Sequence, residues 1–146
     1  MIEILFKAKR TENKEWVQGS LLFDPDLLTA CIVGFNYDYS YEDGISRSEF
    51  SYDICLDTIC RCTGLTDKNG RMIFEGDILK GNPDREFFRE DFVMQIGFKE
   101  NGWKVKEVGC DYWDDVSDRY ISQYEVVGNI FDTPELLQND EQEEQQ

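Results

Sequence analysis

Histidine is absent from all 146 residues, which removes Ser-His and Cys-His nucleophile pairs and histidine-ligated metals together. No G-x-S-x-G, Walker or G-x-G-x-x-G motif occurs either, so the common hydrolase, nucleotide and dinucleotide chemistries lack their signatures. No run approaches the 18 or so apolar residues of a membrane helix, and Met1 to Lys7 is too short and too charged for a signal peptide, so a cytoplasmic protein with no membrane partner is expected. Basic residues are scarce, 15 Lys and Arg against 31 Asp and Glu, for a net charge of −16. Asp140, Glu141, Glu143 and Glu144 at the C-terminus account for only part of this. Such a field repels phosphate backbones, and direct nucleic-acid binding is not expected.

Five cysteines, Cys31, Cys55, Cys60, Cys62 and Cys110, are odd in number and unevenly spaced, unlike a secreted disulfide framework. Cys55-x4-Cys60-x-Cys62 lacks the knuckle spacing that presents two sulfurs to zinc, so buried or reduced thiols are the expectation and no metal or cofactor is assigned. Asp111, Asp114, Asp115 and Asp118 form the one dense acidic cluster, the only foothold for a metal-dependent hydrolase; solvated loop acids explain it better.

What is abundant is aromatic character, 14% of the chain, a composition suited to strands. A chain of this length buries roughly 68–70% of its unfolded surface, enough for one core without staples. Residues 3–9 and 16–23 read as a hairpin around the charged break at 10–14, and 31–35 as a short strand. A Tyr-rich polar loop is predicted from Asn36 to Gly44. Two strands are predicted within 50–62, then one each at 78–80, 92–98, 103–108 and 124–128, with Asn69-Gly70 and Asn101-Gly102 as tight turns. Thr133-Pro134-Glu135 has the order of N-cap, first-turn proline and acid, which predicts a short helix. The remainder, 138–146, is expected to be a disordered acidic tail after a single domain over 1–137.

The block from Thr63 to Leu79, TGLTDKNGRMIFEGDIL, resembles the signature of the YopX family of small proteins from bacteriophages, prophages and related mobile elements. Ile4 to Lys9 with Asn13 to Gly19, and Tyr124 to Leu136, resemble that family's opening and closing blocks. The resemblance implies a β-rich fold with an SH3-like element, and it brings no established activity. Gly64, Leu65, Asp67, Asn69, Gly70, Glu75, Gly76, Asp77, Gly128 and Asn129 carry the motif. Their chemistry points to structure: glycines for special backbone conformations, and carboxylates and amides as acceptors for nearby N–H groups.

The expected molecule is therefore mainly β, an SH3-like barrel or roll with a short C-terminal helix. It is read as a non-enzymatic protein-binding or assembly module with no nucleic-acid partner and with homo-oligomerisation open. Tyr37, Tyr39 and Tyr41, at alternate positions, are the candidate interaction surface. Two other readings remain: an acidic decoy for the basic groove of a nucleic-acid-binding protein, and the carboxylate-metal hydrolase.

Overall fold

The computed structural model describes residues 4–116 and 121–138. The protein is mainly β, 56% strand and 6% helical, in two antiparallel sheets. Among the described residues eleven strands run in chain order: β1 Phe6–Lys9, β2 Trp16–Asp24, β3 Thr29–Ser40, β4 Gly44–Asp53, β5 Cys60–Thr66, β6 Met72–Phe74, β7 Asp77–Gly81, β8 Phe92–Lys99, β9 Gly102–Glu107, β10 Asp114–Asp115 and β11 Glu125–Asn129. The sheet orders are β4-β3-β2-β1-β5-β6 and β10-β9-β8-β7-β11. Neither closes into the expected barrel. The strands at the ends of each order do not pair with one another, and one of them, β10, is only two residues long.

The chain divides into two compact units, Met1–Arg61 and Cys62–Gln146. In the first, β1 to β4 form successive antiparallel hairpins, and Ala8, Ala30, Ile32 and Ile54 make a buried cluster with Phe6, Val17, Leu21, Phe50 and Ile59 packed on it. These are the inward positions of the period-2 pattern. Gly34 sits directly under the Phe50 ring; a Cβ there would lie 2.5 Å from the ring carbon Cζ, so only glycine lets that ring lie flat on the sheet.

In the second unit, Ile73, Leu79, Ile96, Ile121, Tyr124 and Val126 form the core, with Leu65, Phe92, Met94, Trp103, Val105 and Val116 against it. β7 is an interior strand, paired with β8 on one side and β11 on the other. That position explains the near-continuous burial of Asp77, Ile78 and Leu79.

Three local expectations change. The segment read as a loop from Asn36 to Gly44 is the distal half of a long hairpin, with β3 and β4 in unbroken register from Cys31↔Asp53 to Ser40↔Gly44. In the β8–β9 turn the left-handed residues are Glu100 (φ 53°) and Asn101 (φ 67°), not Asn101 and Gly102, because Lys99 already pairs with Gly102. The short helix after Thr133 is a 3-10 turn over Pro134–Leu137, and Thr133 makes no side-chain cap to it. Its hydroxyl turns back to Asn129 instead, donating to the Asn129 carbonyl at 3.1 Å and accepting from the Asn129 N–H at 3.0 Å. The acidic tail lies outside the described residues from 139 onward.

Candidate functional site

Two groups of singled-out residues lie in separate units, and they differ in kind. The signature residues of the second unit form a clamp around two buried carboxylates, Asp67 and Asp77. Asp67, 5% exposed, begins the turn between β5 and β6; its Oδ1 accepts from the N–H groups of Asn69 and Arg71, both at 2.9 Å. Its Oδ2 accepts from the N–H of Val126 on β11, also at 2.9 Å. Burial alone would raise the Asp67 carboxyl, but the bonds from Val126, Arg71 and Asn69, with the Arg71 charge, together hold it below the ordinary carboxylate value. The neighbouring Lys68 N–H donates to the Tyr124 carbonyl at 2.9 Å. One carboxylate thus joins a turn to a strand about sixty residues later, as the bond from Val126 spans 59 positions.

Asp77, at 1% exposure, accepts from the Phe74 N–H at 2.8 Å and shapes the β6–β7 turn, where Glu75 is half-buried. Gly76 takes φ 87° there, its N–H donating to the Ile96 carbonyl and its carbonyl accepting from Ile130. Gly64 and Gly70 also have positive φ, and Leu65 packs on the core. Gly128 is required by space, since a Cβ would stand 2.0 Å from the Thr133 hydroxyl. Asn129 accepts from the N–H groups of Phe131 and Asp132, both at 2.9 Å. The acceptors of this group are directed at the chain's own backbone.

The tyrosines belong to the first unit. Tyr37 and Tyr39 point to one face of β3, while Tyr41 is in the hairpin turn. Pairing of Phe35 with Glu49, Tyr37 with Arg47 and Tyr39 with Ile45 puts all six side chains on that face. The other face of the same segment carries Asn36, Asp38, Ser40, Ser46 and Ser48. From Asn36 to Ser48 every residue is exposed. The hairpin tip is therefore an amphipathic arm with water on both sides, and Tyr37 (66%), Ile45 (72%) and Tyr39 (77%) present apolar surface that nothing among the described residues covers. The Arg47 guanidinium lies 4.5 Å from the Phe35 ring centre. An open groove lined by Ile4, Leu22, Val33, Phe35 and Tyr37 continues this surface toward the base of the arm.

Phe35, Ile45 and Leu22 were not singled out from sequence. Their signal was the alternation Phe35, Tyr37, Tyr39, which is strand periodicity.

The acidic cluster does not gather. Asp115 pairs with Lys104 at the β9–β10 ladder, Asp111 and Asp114 are exposed, and Asp118 lies outside the described residues. Among the described residues no three Cys, Asp or Glu side chains are placed to share a metal ion, and no disulfide joins the cysteines. No helix among them is long and apolar enough to cross a membrane.

The family model described as YopX protein matches residues 5–138. The chain is similar to the crystal structure of protein EF1440 from Enterococcus faecalis, at 27% sequence identity and a TM-score of 0.62, covering 94% of this chain and 100% of that one. No curated protein matches the sequence.

Proposed function

The chain belongs to the YopX family, and from that premise we propose that it is a non-enzymatic protein-binding or assembly module, encoded by a phage or other mobile element and acting in the host cytosol. The observation that carries this reading is the amphipathic arm: a face on which Phe35, Tyr37, Tyr39 and Ile45 stand beside Arg47 and Glu49, exposed on a hairpin whose opposite face carries only small and polar residues. Aromatic side chains on a stiff ladder offer large contact area with few rotamers to immobilise, which suits protein recognition. The buried carboxylates support the same reading, because Asp67 and Asp77 bond to the backbone. An SH3-like element within the fold, with Pro134–Leu137 as the short C-terminal helix, and a single functional module over 1–137 belong to this proposal.

Affinity capture of the full chain from host lysate at low and raised salt tests it. A partner retained at raised salt and lost with Y37S/Y39S is the expected result. Turnover in a nuclease or hydrolase panel, with capture indifferent to the arm, would overturn it. The net charge of −16 favours one second reading, an acidic decoy for a nucleic-acid-binding protein. Its partner would be captured at low salt, released at high salt, and unaffected by Y37S/Y39S.

A further inference from the structure

We propose that β4 is a self-pairing edge: two copies of the chain join their β4 strands antiparallel about Ser48, setting Arg47 of each opposite Glu49 of the other. This deepens the assembly reading by naming the partner as a second copy, and it rests on the backbone edge of the arm, not on its apolar face.

β4 ends the order of its sheet, and over Gly44–Asp53 it contains no proline, no lysine and no break in register. Natural edge strands are ordinarily blunted by such devices or by charge of one sign; the charges of this edge before Asp53 are Arg47 and Glu49, of opposite sign, and a long flat edge of that kind is a template for another strand. The direction of its backbone groups follows from three bonds. Ile54 donates to the carbonyl of Ala30, its opposite residue in the β3–β4 register, so the even-numbered residues of β4 direct N–H and C=O toward β3. The odd-numbered ones direct theirs outward, as the Asp53 carbonyl accepting from Thr11 and the Cys55 N–H donating to Lys9 show at the base. Ile45, Arg47, Glu49 and Ser51 form the stretch of odd positions beyond that base, all exposed.

An antiparallel partner must therefore bring odd residues opposite odd residues, which leaves a few registers. Centring the pairing on Arg47 or on Glu49 sets like charges face to face. Sliding it so that Arg47 faces Asp53 calls on a carbonyl already held by Thr11. Centring it on Ser48 meets both conditions across the stretch from Ile45 to Ser51. Arg47 meets Glu49 of the second copy in a hydrogen-bonded pair and Glu49 meets Arg47 in return, with Ile45 and Ser51 pairing just beyond. Arg47 and Glu49 are the only charges from Gly44 to Tyr52, so this edge is locally neutral on a strongly negative chain. The continued sheet, β3-β4-β4-β3, would carry the apolar stripes of both copies on one face.

Sedimentation of the full chain from about 1 µM to about 1 mM reads the association. Wild type should dimerise, and E49P should abolish dimerisation, because that N–H points outward and its loss spares the β3 ladder. R47E and E49R each turn two attractive pairs into two repulsive ones, weakening self-association by about tenfold or more. Mixed together they restore every pair, so the two variants should form a heterodimer by native mass spectrometry while neither forms a strong homodimer. A misfolded variant could not be rescued in that way. The register is read separately by S48C, which places its thiol at the two-fold and should cross-link under mild oxidant above the wild-type background, whereas S46C, opposite Phe50 of the second copy, should not. A chain monomeric throughout that range, or a dimer indifferent to the charge reversals and to E49P, overturns the pairing. A monomer that still captures a partner through Tyr37 and Tyr39 overturns the pairing while leaving the assembly reading in place.

Discussion

The arm of the first unit, one long hairpin, and the clamp of the second, built on turns and short strands, treat side chains in opposite ways. In the clamp, polar groups are inside: Asp67 and Asp77 are buried, and their oxygens receive backbone N–H groups across turns and strands. In the arm, apolar groups are outside: Phe35, Tyr37, Tyr39 and Ile45 stand in water on a hairpin with no core beneath its tip. A buried carboxylate is retained only where its removal would strand its donors. An exposed aromatic stripe adds only cross-strand and cation–π contacts to the folded chain, and a patch of that kind is characteristic of interaction surfaces. The clamp therefore ties the fold together, and the arm is the surface on which the proposed partner contact can be tested.

The largest test breaks the clamp. D67A leaves the N–H groups of Asn69, Arg71 and Val126 without their acceptor, and should cost ~3–5 kcal/mol in denaturant unfolding. D67N keeps one acceptor but turns an amide toward a donor, so its cost should be somewhat smaller. The pH dependence has a defined sign. The folded carboxyl titrates below its ordinary 3.8, so its stabilisation is present above that value and is lost as pH falls through it toward the folded value. Acid unfolding of the wild type should therefore show a loss in that window that D67N lacks. Next in size is G128A, whose added methyl meets the Thr133 hydroxyl and Leu136; overpacking there should cost ~1–3 kcal/mol, read as a lower denaturation midpoint with unchanged slope.

A smaller pair of substitutions applies one perturbation to both units. Leu28 in the β2–β3 turn and Glu100 in the β8–β9 turn each take φ 53°, a left-handed conformation that asparagine accepts more readily. L28N and E100N should each stabilise by up to ~1 kcal/mol. A gain at one position and none at the other would show that the two turns hold their strain differently, which thermal unfolding can read.

Much of the second unit was legible because its strands are short runs rich in apolar residues bounded by turns that carry Asn, Asp and Gly. In the signature block, Asp67 and Asp77 as acceptors and Gly70 and Gly76 as turn residues could be read from residue chemistry alone. What sequence did not reveal was that Asp67 reaches Val126, since a hydrogen bond across 59 positions leaves no local pattern. The arm failed for a different reason. Asn36, Asp38 and Ser40 looked like loop composition, and a strand with both faces in water has no buried face to make its alternation persuasive. The clue was present in Phe35, Tyr37 and Tyr39, but polarity outweighed period. The barrel expectation failed because closure depends on the pairing of end strands, which composition does not record.

The smallest expected change in stability is also the most informative about function. Y37S/Y39S removes two exposed rings from the apolar face without touching the backbone ladder, and it should move the unfolding free energy by no more than ~0.5 kcal/mol. If the rings were structural, the variant would unfold at visibly lower denaturant, and the contrast between arm and clamp would collapse. If they serve contact, stability stays level while binding falls, a separation D67A cannot give because that variant disturbs the fold itself. The side chains opposite them sharpen the point: I45S, on the same face, should reproduce the binding loss, whereas S46A, on the polar face, should leave both binding and stability unchanged. A loss that follows the face and ignores position along the hairpin would identify the apolar stripe as the surface that meets the partner.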